Sequence, residues 1–448
     1  MSILALVSVI AAQAPDAGGW PFPTGFPPQN FTSPAVGDVD GNGVLDLVFG
    51  SWDGYLYCVD AAGQLNWKVY LSDDSETPQL SSSPTLVDAD GIPSTLEVFV
   101  GSGVASLWGR LYVIGADGAE LARFDTRSEV NSSPLVVDAD LDGTLEVYFG
   151  EAFSPYSYFA LDVTSAAGSV VLQPRWSDFL QDGGSSSAPA AADLVGDRRL
   201  EIVVAASGIP SSSVGGKLVY AFSADGDRLW TFSTQRFNNF NSPTAVDLDA
   251  DGRLEVLQAS TDGNLYCLRG ASGTLEWSFA VAEDSIMHTQ AVADLDQDGS
   301  FEIVVGGYDS FSPDSLYCLD ASGNILWTRE FVDTDINFSS PSIGDLDRDG
   351  CYDIVIGTAH SNPAVHAFDR RGNLLWRTPQ RATVYSSAAL ADLDGDHTLE
   401  ICFGVYASQY NVLSPTGAQF QFTPKGPISL QAPWPMWHRT PENHRRAR

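Results

Sequence analysis

The sequence predicts an all-β fold, an eight-bladed β-propeller of four-stranded antiparallel blades, and two observations carry that prediction. An acidic loop of the form D-x-D-x-D-G-x-x-(D/E) recurs eight times at steps of 47 to 55 residues, which is the length of a propeller blade. Each repeat also contains four short apolar runs separated by turn residues, and no helical periodicity interrupts them. The loops begin at Asp38, Asp88, Asp138, Asp193, Asp247, Asp294, Asp345 and Asp392.

The fifth repeat shows how one blade forms. Its apolar and β-branched runs are TAV, LEVLQA, NLYCL and TLEWSF, each bounded by turn residues. The acidic loop joins the first run to the second. The dipeptides Asp262-Gly263 and Ser272-Gly273 separate the later runs and suit tight hairpins, because glycine accepts positive φ. Such a meander has two apolar faces, and radial stacking against neighbouring blades buries both.

The repeats are predicted to form one domain over residues 15–430, followed by a C-terminal tail at 431–448. Length alone suggests about three domains, but propeller blades contact only their neighbours and close into a single body. The repeats start near residues 31, 81, 131, 186, 240, 287, 338 and 385.

Residues 1–14 are predicted to be a signal peptide. The apolar stretch from Ile3 to Ile10 runs into Ala12-Gln13-Ala14, which fits a secretory h-region with an A-x-A cleavage site. The segment lacks Lys and Arg, and a buried first strand or a misplaced start codon would be the alternatives. No other stretch approaches roughly 18 apolar residues. We therefore expect a secreted protein, extracellular or periplasmic, without membrane insertion.

The net charge of −34 is concentrated in the repeated loops, which contain 29 of the 57 acidic residues. A surface of this kind repels phosphate backbones and anionic lipid headgroups, so neither nucleic acid nor a membrane surface is expected as a partner. Bound divalent cations would offset much of this charge, and they are therefore expected to be part of the fold.

Cysteine and tryptophan positions follow the repeat. Cys58, Cys267 and Cys318 occupy equivalent strand positions on different blades, too far apart for a disulfide, and are predicted to be buried free thiols, as is Cys402. Tryptophans that end several fourth runs are predicted to pack between blades, with a ligand platform as the alternative. These are Trp67, Trp230, Trp277, Trp327 and Trp376.

The pattern SSP-x(4)-D-x-D-x-D-G-x-x-E-(I/V)-x-(V/F)-G resembles the FG-GAP or VCBS repeats of integrin-α-like propellers, from about Phe31 to Thr423. The segments LYCLDASGNILW and LVYAFSADGDRLW are similar to the tryptophan-docking repeats of PQQ-like quinoprotein propellers, whose usual eight blades match the repeat count. A WD40 assignment is disfavoured because its G-H and W-D signatures are missing. The pairs Trp20-Pro21 and Trp434-Pro435 flank the repeats, and both are expected to pack near the ring closure.

The acidic loops are predicted to bind several structural Ca²⁺ ions. Oxygen donors at positions one, three, five and nine, with a backbone carbonyl near seven, can form the shell of six to eight oxygens that calcium prefers. The predicted ligands are Asp38, Asp40, Asn42 and Asp46; Asp88, Asp90 and Glu97; Asp138, Asp140, Asp142 and Glu146; Asp193, Asp197 and Glu201; Asp247, Asp249, Asp251 and Glu255; Asp294, Asp296, Asp298 and Glu302; Asp345, Asp347, Asp349 and Asp353; Asp392, Asp394, Asp396 and Glu400.

Two loops depart from the pattern and are expected to bind calcium worst. The second has an extra residue and no carboxylate at position five. The fourth has Val195 where an oxygen is needed and Arg198 where glycine is expected, and Arg198 with Arg199 is expected to replace part of the ion's charge. In the last loop His397 takes the glycine position, which is tolerable because His is enriched in left-handed geometry.

Three functions stay open on the sequence. The first is a calcium-stabilised, non-catalytic binding or adhesion module that holds an unknown protein or carbohydrate on the face opposite the acidic loops, where loop aromatics are expected. The second is an enzyme, either a quinoprotein dehydrogenase or a polysaccharide-cleaving propeller in which His288 and His360 with Arg236 would act as base and charge clamp. The third is a scaffold for envelope assembly, as some PQQ-like propellers are.

Among these functions the binding module is preferred. Nothing in the sequence resembles the adjacent cysteine pair found beside PQQ, so no catalytic residue and no organic cofactor is assigned. The expected aromatics are Trp108, Phe153, Tyr156, Tyr158, Tyr308, Phe311, Tyr406 and Tyr410.

Overall fold

The computed structural model confirms the all-β, eight-bladed propeller. All regular elements of the described residues are strands, which form eight four-stranded antiparallel sheets. None of the described segments forms a helix long and apolar enough to span a membrane. The described residues are 19–25, 32–72, 77–104, 107–166, 168–207, 215–283, 285–310, 313–332, 334–336 and 338–420. The predicted signal peptide and tail lie outside them, as do Trp434-Pro435 and Phe311.

The first four blades each follow the order of the chain. Their strands are β2 (Ala35–Gly37), β3 (Asp46–Gly50), β4 (Tyr55–Asp60) and β5 (Leu65–Tyr70); β6 (Thr85–Val87), β7 (Glu97–Val104), β8 (Trp108–Ile114) and β9 (Glu120–Thr126); β10 (Leu135–Val137), β11 (Leu145–Gly150), β12 (Ser157–Ala166) and β13 (Ser169–Phe179); β14 (Ala190–Ala192), β15 (Glu201–Ala205), β16 (Leu218–Phe222) and β17 (Arg228–Ser233).

Blades five to seven repeat this order, and blade eight takes its fourth strand from the other end of the chain. The strands are β18 (Thr244–Val246), β19 (Glu255–Ala259), β20 (Asn264–Arg269) and β21 (Leu275–Ala280); β22 (Ala291–Ala293), β23 (Glu302–Gly307), β24 (Asp314–Leu319) and β25 (Ile325–Phe331); β26 (Ser342–Gly344), β27 (Asp353–Gly357), β28 (Ala364–Phe368) and β29 (Leu374–Pro379); β30 (Ala389–Ala391), β31 (Glu400–Val405), β32 (Gln409–Leu413) and the N-terminal β1 (Phe22–Pro23).

Closure of the ring therefore depends on the N-terminal segment. Phe22 pairs with Tyr410, and Pro23 pairs with Gln409. Trp20 donates its indole N–H to the Ala61 carbonyl of blade one at 3.0 Å. The expectation that Trp20-Pro21 lies at the closure is confirmed.

Indole side chains fasten successive blades, as predicted. Trp327 of blade six donates its N–H to the Arg370 carbonyl of blade seven at 2.9 Å. A Cβ atom at Gly372, where φ is +72°, would lie 2.7 Å from this ring, so glycine lets the indole approach. Trp67, Trp230 and Trp376 make the same bond, and so does Trp176, which the sequence analysis did not single out.

A second set of contacts, which we call the hydroxyl seam, joins the blades near the central axis. Just before its first strand, one blade donates a backbone N–H to the Ser or Thr hydroxyl at the same position of the next blade, at 2.9–3.1 Å. The eight positions are Ser33, Ser83, Ser133, Ala188, Ser242, Thr289, Ser340 and Ser387. Seven such bonds are present, and the eighth, from Ser133, cannot form because Ala188 has no hydroxyl.

Apolar side chains of the second and third strands fill the spaces between blades. Strand β3, for example, is buried over its whole length. Cys58, Cys267, Cys318 and Cys402 are buried and free, as predicted. Burial raises the pKa of each of these thiols above its ordinary value.

Candidate metal loops and the opposite face

Each acidic loop joins the first and second strands of its blade, so all eight lie on one face of the ring, which we call the acidic face. The carboxylate at position nine stands at or next to the start of the second strand and is largely buried. In every loop one oxygen of this carboxylate accepts a backbone N–H from position two, at 2.7–3.0 Å. That bond fixes the carboxyl group. It leaves the second oxygen to a ligand except in the first and third loops, where Asn66 and Arg175 contact that oxygen.

The carboxylate at position one is held in the same way. In seven loops one of its oxygens accepts the N–H of position six, at 2.9–3.2 Å. The side chain at position five accepts the N–H of position seven in the same seven loops, at 2.7–2.9 Å. The backbone thus orients three donor side chains per loop before any ligand arrives.

Left-handed residues at positions four and six bend the loops around this network. Position six has φ values from +68° at His397 to +95° at Gly299, and Arg198 adopts +83°. The expectation that His397 tolerates this geometry is confirmed. Position four was not singled out from the sequence, yet Leu141, Ala250, Gln297 and Arg348 all adopt positive φ there. This costs conformational energy for a residue with a Cβ, and loop bonds must offset it.

The predicted donors come together in the first, second, third, fifth and sixth loops, among others. Within each group the ligating atoms lie within 4.8 Å of one another. The groups are Asp38, Asp40 and Asp46; Asp88, Asp90 and Glu97; Asp138, Asp140, Asp142 and Glu146; Asp247, Asp249 and Asp251; Asp294, Asp296 and Glu302. The second loop is therefore assembled in spite of its extra residue.

Electrostatics within the loops favour a cation. Burial, with repulsion from neighbouring aspartates, raises the pKa of the position-nine carboxyl groups, to about 7 at Glu302 and Asp353 and about 8 at Glu400. In addition, one carboxylate oxygen each of Asp38, Asp247 and Asp345 is buried without a hydrogen-bond partner in the described structure. Buried carboxylate oxygens of this kind suit Ca²⁺, which takes oxygen ligands only, and the donor set fits that ion.

The two arginines of the fourth loop make different contacts. Arg198 contributes its backbone N–H to Asp193, and Arg199 forms an ion pair with Asp225 of the adjacent hairpin at 2.6 Å. Arg199 also lies 3.9 Å from Asp140, a donor of the third loop. The Arg199 guanidinium therefore lies between Asp225 of its own blade and Asp140 of blade three. That Arg198 with Arg199 replaces part of the ion's charge in the fourth loop stays a prediction.

A half-buried arginine of blade three was missed from the sequence. The Arg175 guanidinium lies 3.1 Å from Glu146 and 3.2 Å from Asp162, and it also contacts Asp140. Two predicted calcium ligands of the third loop are thus paired with an arginine. The available signal was its place directly before Trp176, where four other blades have leucine.

The face opposite the acidic loops holds only part of the expected aromatic surface. Tyr158 and Tyr410 are core residues rather than surface residues, because each is fully buried and stacks on a phenylalanine of the neighbouring blade. Five others are partly exposed, namely Trp108, Phe153, Tyr156, Tyr308 and Tyr406.

A row of aromatic rings on that opposite face was missed. Phe240 contacts Phe338 edge-on at 5.4 Å, Phe338 contacts Tyr385 at 4.9 Å, and Tyr385 contacts Tyr406 at 5.6 Å between ring centroids. The first three stand two residues before the inter-blade hydroxyl positions, where blades two to four have Ser81, Asn131 and Ser186. We call these four rings the aromatic row; Phe240 is 42% exposed.

The histidines of the enzymatic alternative lie in different environments. His288 is 1% exposed, and burial lowers its pKa to about 4. His360 is partly exposed and lies 2.5 Å from Asp335. Arg236 is exposed. Since His288 is closed off from solvent, this trio does not form an accessible base with a charge clamp.

Comparison with known proteins places these features among propellers. Residues 208–326 match the model of the λ-carrageenase β-propeller domain. No curated protein matches the chain. Among solved structures, Sqt1 of Saccharomyces cerevisiae is 12% identical with a TM-score of 0.63, covering 91% of this chain and 99% of Sqt1.

Two further structures share the fold. Quinohemoprotein alcohol dehydrogenase ADHIIG of Pseudomonas putida is 14% identical with a TM-score of 0.59, covering 93% of this chain and 77% of the enzyme. The biofilm matrix protein Bap1 of V. cholerae is 14% identical with a TM-score of 0.53, covering 82% of this chain and 83% of Bap1. At these identities the likeness concerns the fold alone.

Proposed function

We propose that the protein is a secreted, calcium-stabilised β-propeller that acts as a non-catalytic binding module for a polysaccharide. The observation that carries the calcium part is the shared geometry of the acidic loops. In every loop a backbone N–H fixes one oxygen of the position-nine carboxylate. Outside the first and third loops, where Asn66 and Arg175 take the second oxygen, that oxygen is left for a ligand. When bound, the ion supplies the positive charge that the buried carboxylates otherwise lack.

Metal content tests the calcium part directly. Bound metal would be measured after gel filtration in a column buffer that contains millimolar CaCl₂ throughout, with native mass spectrometry giving the stoichiometry. We expect about five or more ions per chain, because most loops keep their donors. A stoichiometry near zero in calcium-loaded protein would overturn the assignment.

The aromatic row supports a polysaccharide as the partner. Exposed ring faces bind sugar rings through apolar contact, and a rigid ring of blades presents them without a cost of ordering. The match to a λ-carrageenase propeller domain includes Phe240 and supports the same class of ligand. The net charge of −34 favours a neutral over an anionic polymer.

Binding can be tested with paired phenylalanine variants. Affinity electrophoresis in gels with neutral or sulfated polysaccharides would compare the wild type, Phe240→Ala and Phe179→Ala. Phe179 ends β13 and is 53% exposed, so it serves as a matched exposed phenylalanine outside the row. We expect Phe240→Ala alone to lose retardation. Equal retardation of both variants would contradict a role for the row.

A polysaccharide-cleaving enzyme is the second candidate, and the carrageenase match is the observation that favours it. The buried state of His288 argues against the base suggested by the sequence. Incubation of the calcium-loaded protein with carrageenans and neutral polysaccharides, followed by a reducing-end assay, separates the two functions. Release of new reducing ends would establish the enzyme, and binding without release would establish the module.

A further inference from the structure

Arg175 occupies a bulge in the fourth strand of blade three. Strand pairing places Leu161 opposite Pro174 and Ala160 opposite Trp176, which leaves Arg175 without a cross-strand partner. The bulge turns its side chain toward the acidic loop of its own blade, and the side chain is only 19% exposed. A guanidinium withdrawn this far from solvent is stabilised by anionic partners.

Those partners are two of the predicted calcium ligands. The guanidinium contacts Asp140, at position three, and lies 3.1 Å from Oε1 of Glu146, at position nine. The other oxygen of Glu146 accepts the Ala139 N–H at 2.9 Å. Both oxygens of Glu146 are therefore engaged, unlike the position-nine carboxylates that keep one oxygen for an ion.

The corresponding bulge residues of other blades do not bring a positive charge. Asn66 of blade one donates its amide to Asp46 at 2.7 Å, and Glu276 of blade five adds a negative charge near Glu255. Blades two, four, six and seven have leucine at this bulge, at Leu121, Leu229, Leu326 and Leu375.

We propose that Arg175 is a built-in cation of the third acidic loop and takes the place of a calcium ion there. This rests on the proposed function, since it assumes that the remaining loops bind calcium. A guanidinium and Ca²⁺ within one donor group would repel each other, and an ion would have to displace Arg175 from Asp140 and Glu146. The third loop, whose four carboxylates look most complete in sequence, is thus the loop least in need of calcium.

Calcium stoichiometry of paired arginine variants tests this. Native mass spectrometry in calcium would compare the wild type, Arg175→Leu and Arg228→Leu. Leucine is the residue found at the bulge in four other blades, and Arg228 is a fourth-strand arginine whose partner, Asp178, belongs to no acidic loop. We expect Arg175→Leu to bind one additional Ca²⁺ and Arg228→Leu to match the wild type. An unchanged count in a folded Arg175→Leu protein would overturn the proposal.

Removal of Asp142 provides a second readout. In the wild type, Asp142→Ala is expected to leave the count unchanged, because the third loop holds no ion. In the Arg175→Leu background the same change should remove the additional ion. Loss of one ion from the wild type on Asp142→Ala would show that this loop already binds calcium and would refute the proposal.

Failure of the proposed function gives a different result. If no variant binds calcium, the calcium assignment fails, and the charge-balancing role is then measured by melting in chelator. Arg175→Leu should melt at a lower temperature than Arg228→Leu, because it leaves Asp140 and the fully buried Glu146 uncompensated. Equal melting of these two variants would overturn the role of Arg175 as well.

Discussion

The two faces of the ring differ in how closely the eight blades follow one pattern. On the acidic face all eight loops repeat the bond from position two to the carboxylate at position nine. At the opposite face, the position two residues before the hydroxyl seam is aromatic in three of the last four blades and polar in blades two to four. Regularity on one face is expected of loops that share one structural role, and variation on the other is what the proposed binding surface requires.

Irregularity also reaches the interior between blades five and six. Gln258 lies where the other seven blades have Phe, Val or Ile, and Gln290 and His288 replace Pro and Ser of most repeats. Each of these three side chains is buried and has one nitrogen or oxygen without a hydrogen-bond partner in the described structure. This polar cluster is expected to lower stability, because buried polar atoms without partners are costly.

Removal of calcium should have the largest effect. Extracellular calcium modules bind at about 10⁻⁴–10⁻³ M, so in 1 mM calcium the five sites that remain without the second, third and fourth loops would contribute about 2–7 kcal/mol. For a chain of this length that corresponds to a fall in Tm of about 2–7 °C on chelation. Differential scanning calorimetry in calcium, in chelator and in magnesium measures this fall in Tm. Identical melting in all three buffers would remove the stabilising role assigned to the acidic face.

The indole contacts should come next. Trp327→Ala removes a bond of 2.9 Å and a ring packed on Gly372, and is expected to cost about 3–5 kcal/mol. Trp108 is a matched tryptophan on the face opposite the acidic loops, where it stacks on Arg110. Trp108→Ala should lower the free energy of unfolding by less than about 1 kcal/mol. Urea denaturation of the two variants sharpens the comparison. Equal destabilisation by the two substitutions would mean that the face opposite the acidic loops contributes as much to stability as the contacts between blades.

Most of the fold was predictable because the repeat encodes it locally. Four apolar runs, glycine turns and a spacing of 47 to 55 residues specify a blade, and eight blades specify the ring. Ring closure by Trp20 also followed from a recognisable Trp-Pro pair. These features depend on residues close together in sequence, so pattern alone locates them.

The details of the loops were less predictable because they depend on residues far apart in sequence. Arg175 lies 29 positions from Glu146, and only the strand bulge brings them together. Phe240 and Phe338 meet across the intervening blade six. Tyr158 and Tyr410 were predicted to be loop aromatics, but each lies within the strand that follows the loop and is buried there. Such contacts require the coordinates of several blades.

Acid stability should report on the irregular junction. Burial lowers the pKa of His288 to about 4, whereas an unfolded histidine titrates near 6.5. The unfolded chain therefore binds this proton first, and stability is lost as the pH falls from about 6.5 to 4, by about 2–3 kcal/mol. His288→Ser, the residue of most repeats, should reduce that loss. Parallel pH profiles for the wild type and the variant would contradict the buried neutral state.

The smallest effect is expected where the hydroxyl seam is interrupted. Ala188→Ser would give the Ser133 N–H the acceptor that seven other junctions have, and a net hydrogen bond contributes about 0.5–1.5 kcal/mol. Ala188→Val adds volume without a hydroxyl and serves as the control. Higher stability of the serine variant alone, measured by urea denaturation, would show that the seam contributes bond by bond. A serine variant no more stable than the wild type would mean that packing, rather than the seam, sets the distance between blades three and four.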